Sequence, residues 1–152
     1  MTWTPHVTAA VVIEDGQGRF LLVEEVSGGK VVLNQPAGHV EEGESILTAA
    51  CRETLEETGW RVDLDYLLGV YTFVAPANGV TYYRFCFAAR ALEKLTDQLD
   101  TEIITTHWLT PEEVRDRRDS LRSPLVLECI EDYRKGRRYP LDVLVEQQAR
   151  ND

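Results

Sequence analysis

The sequence predicts an α/β domain in which a mixed sheet carries packed helices, on three observations. Short β-branched and apolar runs lie on both sides of one amphipathic helical stretch, and two further helical stretches follow near the C-terminal end. Clusters of Gly, Pro, Asn and Asp separate the runs. With 152 residues, the chain fits one domain over 1–152 with an ordered core of about 5–145, and needs no disulfide to hold it.

The first run is His6 to Ile13; Glu14-Asp15-Gly16-Gln17-Gly18 interrupts it before Arg19 to Glu24, which reads as a β-hairpin. After the turn Ser27-Gly28-Gly29-Lys30, Val31 to Leu33 is a short strand and Asn34 to Gly38 a loop. The first helix is expected from Ser45 to Thr58, closed by Gly59 as a left-handed cap. Leu67 to Val74, Tyr82 to Ala89 and Thr105 to Leu109 read as strands. Thr110-Pro111-Glu112-Glu113 is a helix start, and Pro124 to Arg134 is a last apolar-periodic helix. The tail from Glu146 onward is expected to fray.

Sixteen basic against 26 acidic side chains give a net charge of -10, which opposes binding to long DNA or RNA. No apolar run reaches a membrane-spanning length, and Met1 to Pro5 does not open a signal peptide, so the expected compartment is the cytoplasm. Cys51, Cys86 and Cys129 have no metal-site or disulfide spacing and read as small hydrophobes. The three histidines form no zinc motif, and none is assigned to catalysis.

The chemistry concentrates in the first helix. At 100° per residue, Glu53, Glu56 and Glu57 share one side, while Leu47, Cys51, Thr54 and Leu55 gather on the other. Three neighbouring carboxylates repel one another. A hard divalent cation holding a phosphorylated ligand would relieve that repulsion; for the cluster by itself, a solvated acidic face is the alternative.

Read together, Gly38, Glu44, Arg52-Glu53, Glu56-Glu57 and Gly59 stand at the spacing GX5EX7REUXEEXGU, with U a bulky aliphatic residue. This segment resembles the box of the Nudix hydrolases, and all seven fixed positions match. Thr54 and Trp60 depart at the U positions, which concern packing. The resemblance implies a Nudix-fold α/β/α sandwich with a loop-helix-loop. It implies magnesium, with manganese as a substitute, held by Gly38 through its carbonyl and by Glu53, Glu56 and Glu57. Glu53 would be a ligand or the base, oriented by Arg52, with Glu44 in support. A later acidic residue often joins such a site; Glu102 is favoured here over Asp100.

Outside the box, Pro5 to Thr8, Asn34 to His39, Arg84-Phe85, Leu121 to Val126 and Arg138 to Leu141 are similar to the NudJ-type phosphatases of that family. That likeness implies a monomeric enzyme acting on small molecules. It would release orthophosphate from nucleoside triphosphates and diphosphates, and act on the pyrophosphate of the hydroxymethylpyrimidine precursor of thiamine.

Substrate contacts are expected from Gln35, Arg84, Arg122, Arg138 and Tyr139. Arg84 interrupts an apolar strand and suits either a bidentate phosphate grip or a salt bridge. Arg122, Arg138 and Tyr139 suit either a rim for phosphate or base, or a solvated patch. Two rival functions remain at this point. One is hydrolysis of linked nucleoside diphosphates such as ADP-ribose or dinucleoside polyphosphates, told apart by its monophosphate products. The other is a non-catalytic nucleotide sensor, for which lost box carboxylates would speak, and none is lost.

Overall fold

The apolar runs form two sheets, seen in a computed structural model that describes residues 2–146. The frayed tail expected from Glu146 onward falls outside these residues, apart from Glu146 itself. The strands are β1 (His6–Ile13), β2 (Phe20–Ser27), β3 (Lys30–Asn34), β4 (Ala37–His39), β5 (Trp60–Val74), β6 (Thr81–Lys94) and β7 (Ile103–Leu109). The helices are α1 (Ile46–Thr58), α2 (Pro111–Asp116) and α3 (Leu125–Arg134).

The four-stranded sheet runs β4-β1-β6-β5 and is mixed, because β1 and β6 are parallel while its other pairs are antiparallel. The three-stranded sheet runs β3-β2-β7 and is wholly antiparallel. Strand alternation sends residues to two cores. Ala10, Val12, Phe20, Leu22 and Cys86 meet Val114 of α2 and Val126, Cys129 and Ile130 of α3. Ala9, Val11, Ile13, Leu21 and Phe87 meet Ala49 and Ala50 of α1. Helices thus cover the strands on both sides, as the sandwich expectation requires.

Three expectations change. The β1–β2 hairpin is replaced by a turn between sheets: Asp15 N–H still donates to the Arg19 carbonyl at 3.0 Å, and Glu14 bridges to Phe20, but the strands then part. Each is central in its own sheet, so both its edges are already taken. The loop Asn34 to Gly38 yields its last residues to β4, whose Gly38 pairs with Ala9. Finally, β5 begins at Trp60 rather than Leu67. Its Arg61, Asp63 and Asp65 are the outward members of an alternation with Val62 and Leu64, and Arg90 on β6 pairs with both aspartates.

Candidate active site

Local chemistry fixes α1 in place. Ser45 Oγ accepts from Thr48 N–H at 3.0 Å, and Gly59, at φ 78°, donates its N–H to the Leu55 carbonyl at 2.9 Å. A side chain at Gly59 would meet the Thr96 carbonyl oxygen at 2.0 Å, so conformation and space both demand glycine there. Thr54 is buried at its U position because its hydroxyl donates back to the Ala50 carbonyl at 2.8 Å.

The loop before β7 closes over the end of this helix, where Asp100 N–H donates to the Glu56 carbonyl at 3.0 Å. Glu53, Glu56 and Asp100 thereby bring carboxylate oxygens within 4.8 Å of one another. Glu102, two residues on, is exposed outside this trio, and its main-chain carbonyl accepts from Val26 N–H. The loop thus turns Asp100 inward rather than the favoured Glu102.

Arg52 is the only guanidinium within the carboxylate cluster among the described residues. It donates through Nε and Nη2 to Glu44, through Nη1 to Glu53 at 2.9 Å and Glu56 at 3.1 Å, and through Nη2 to the His39 carbonyl at 3.1 Å. All five of its N–H donors are used. Glu57 is buried, and its Oε1 accepts from Ala37 N–H at 3.0 Å. A side chain at Gly38 would lie 2.1 Å from the Glu53 carboxyl carbon.

The carboxylates exceed their compensation. Burial, reinforced by Glu25, Glu53 and Asp100, pushes the Glu57 carboxyl up to about 9 against the pull of the Ala37 N–H. Burial also raises Glu53 against the pull of Arg52, and raises Asp100 with help from Glu56 and Glu102. An oxygen-only donor set that is short of positive charge fits a hard divalent cation such as magnesium.

A second polar cluster adjoins the first through residues 34–37. Arg84, near the start of β6, is buried, its Nη1 and Nη2 reach Asn34 Oδ1 at 3.4 Å, and Nη2 also donates to Gln35 Oε1. Among the described residues its Nε has no partner. Gln35 Nε2 donates to the Val126 carbonyl at 2.7 Å, and Asn34 Nδ2 reaches Glu25 Oε1 at 3.4 Å. Arg122 Nη1 donates to the same Glu25 oxygen at 3.0 Å.

The family described as NUDIX domain matches residues 4–129. The chain belongs to the Nudix family. It is 41% identical over 142 residues to Phosphatase NudJ of Escherichia coli (strain K12), which covers 92% of this chain and 90% of that one. The same figures hold for Phosphatase NudJ of Shigella boydii serotype 4. Among solved structures it is similar to a NUDIX hydrolase from Nitrosomonas europaea, with a TM-score of 0.91 and 46% identity over 95% of this chain and 98% of that one. A UDP-X diphosphatase shares the fold, with a TM-score of 0.72 and 20% identity over 91% of this chain and 66% of that one. The chain is thus a Nudix enzyme, a hydrolase acting on pyrophosphate bonds.

Within this Nudix fold, the five expected substrate residues separate. Gln35 is 1% exposed and both ends of its amide are engaged, so it holds Arg84 and α3 rather than facing the cleft. Arg84 and Arg122 share the cluster just described. Arg138 and Tyr139 lie elsewhere: Tyr139 exchanges main-chain hydrogen bonds with Leu67 along the free edge of β5, and Arg138 stacks over the Tyr66 ring at 4.4 Å. That edge is at the opposite side of the sheet from β4. Two residues of this second polar cluster escaped the sequence reading, Glu25 and the side chain of Asn34. The signal for Glu25 was a carboxylate continuing the buried run Phe20 to Val23.

Beside Gly38, His6 Nδ1 and His39 Nε2 lie 3.0 Å apart, and burial, His6 and Arg122 together lower the His39 pKa. Cys86 and Cys129 are buried, as small hydrophobes are, while Cys51 is half-buried. Among the described residues, no helix is long and apolar enough to cross a membrane.

Proposed function

We propose that the chain is a magnesium-dependent phosphatase of nucleoside triphosphates and diphosphates, and of hydroxymethylpyrimidine pyrophosphate, that releases orthophosphate. The observation that carries this reading is the convergence of Glu53, Glu56 and Asp100 beside the buried Glu57, in a chain 41% identical to NudJ phosphatases.

Glu53, Glu56, Glu57 and Asp100, with the Gly38 carbonyl, would hold the magnesium, for which manganese can substitute. When bound, the ion neutralises phosphate oxygens and acidifies water. Arg52 fixes Glu53 and Glu56 relative to each other and to β4 through His39. Glu53, with its carboxyl raised by burial, would take a proton from a water attacking phosphorus. Ala37 N–H orients Glu57, and Asp100 joins Glu53 and Glu56. The enzyme is read as one domain over 1–152, a cytoplasmic monomer acting on small phosphorylated molecules rather than long nucleic acid.

Purified protein incubated with magnesium and, separately, GTP, ADP, hydroxymethylpyrimidine pyrophosphate and ADP-ribose tests this, with orthophosphate, pyrophosphate and monophosphates separated. Orthophosphate from the first three supports the proposal. Monophosphates from ADP-ribose alone would replace it with a hydrolase of linked nucleotides, and nucleotide binding without turnover would replace it with a sensor.

A further inference from the structure

The cluster of Arg84, Asn34, Glu25 and Arg122 contains two guanidinium groups and one carboxylate. Arginine stays protonated in proteins. Among the described residues the hydrogen bonds of Arg84 go only to neutral amide oxygens, although it is 6% exposed, and its Nε is unpartnered. A buried charge left this way is costly unless an opposite charge completes it. The cluster is one negative charge short, in a protein of net charge -10.

Its two arginines differ in access. Arg84 is sealed behind Asn34 and Gln35, whereas the Arg122 side chain is 45% exposed and touches its carboxylate partner through Nη1. Arg122 is also well placed: its main-chain N–H donates to the Leu33 carbonyl at 2.8 Å, which docks the loop along β3. Its charge reaches His39, the residue after Gly38. The short segment 34–37 joins this cluster to the carboxylate site, since Asn34 Nδ2 reaches Glu25 at 3.4 Å and Ala37 N–H reaches Glu57 at 3.0 Å.

We propose that a phosphate group of the substrate supplies the missing negative charge, held on the exposed edge of Arg122, which is shared between that phosphate and Glu25. Arg122 is the contact. Arg84 is a positioning residue that fixes Asn34, and through it Glu25, and adds buried positive charge behind them. Glu25 competes with the phosphate and so tunes affinity. This rests on the phosphoanhydride reading above, since it names the group that the substrate must carry.

The sign of two substitutions separates this from a structural role. KM and kcat for GTP with magnesium, and the dissociation constant for GTP by equilibrium titration, are measured for wild type, Arg122→Gln, Arg122→Lys, Glu25→Gln and the double variant E25Q/R122Q. Arg122→Gln should raise KM and the dissociation constant about tenfold or more, with Arg122→Lys recovering part of the loss. Glu25→Gln should lower both several-fold, and the double variant should behave as Arg122→Gln. The proposal is overturned if Arg122→Gln leaves both constants within twofold, if Glu25→Gln and Arg122→Gln shift them in the same direction, or if wild type binds no nucleotide. Should Glu25→Gln fail to fold, the exposed Arg122 pair carries the test alone. Wild type that binds GTP without hydrolysing it, with the Arg122 shift intact, would leave this proposal standing while the proposed function fell.

Discussion

Gly38 and Glu53 are so close that a methyl group on the Gly38 Cα would sit 2.1 Å from the Glu53 carboxyl carbon. The Glu53 carboxylate therefore occupies the space that a side chain at Gly38 would need, which gives the box glycine a steric role. Gly38→Ala should displace Glu53 and lower kcat by about 100-fold, the scale of an ångström-sized misplacement. Steady-state kinetics checks this, with circular dichroism confirming the fold; activity within threefold of wild type would refute the steric argument.

Glu57 has the most displaced acid of the site. Its folded-state value of about 9 stands above its ordinary value near 4.5, so between these values the folded protein holds a proton that the unfolded chain has lost. The stabilising contribution is complete below about pH 4.5 and is lost as pH rises toward 9. Metal-free protein should lose thermal stability across that window, and magnesium should bind more tightly as pH rises, releasing a proton. Glu57→Gln keeps the acceptor for Ala37 N–H, so it should raise the metal-free Tm at pH 8 by about 3–6 °C while abolishing turnover. Differential scanning calorimetry at pH 5 and pH 8 reads the effect.

Arg52 holds Glu44, Glu53 and Glu56 together through four of its five N–H donors. Removing it as Arg52→Gln leaves those carboxylates facing one another. Because the site is partly open to solvent, the expected loss is moderate, about 1–3 kcal/mol in urea unfolding. Magnesium should restore much of it, since the cation replaces the lost positive charge; equal loss with and without magnesium would contradict this.

Asp100 and Glu102 can be told apart directly. Asp100→Asn should raise the magnesium concentration needed for half-maximal activity by about tenfold to 100-fold. Glu102→Gln, on an exposed carboxylate, should change it less than about twofold. The reverse ranking would return the metal role to Glu102.

Much of this was legible in the sequence. Ser45, Gly59 and the glutamates of α1 declare their helix through cap chemistry and spacing that act within a few residues. What escaped depends on distant parts of the chain. The separation of β1 and β2 into two sheets follows from β4 and β6 occupying the edges of β1, and no local signal in Glu14 to Gly18 reports that. Asp100 and Glu102 look alike in sequence, and only the bond from Asp100 N–H to the Glu56 carbonyl decides which one turns inward. Arg138 and Tyr139 resembled substrate residues, yet the chain lays them along the far edge of β5. Glu25 reads as an ordinary strand acid until Asn34 and Arg122 close around it.

The most direct measurement is orthophosphate release from GTP by chelator-treated protein as magnesium is raised from zero, for wild type and Glu57→Gln side by side. The account predicts no release without metal, saturable release by wild type, and none above background from the variant at any magnesium concentration. Release by wild type that is indifferent to magnesium, or a variant that matches wild type, would contradict the assignment of this carboxylate cluster as the catalytic centre.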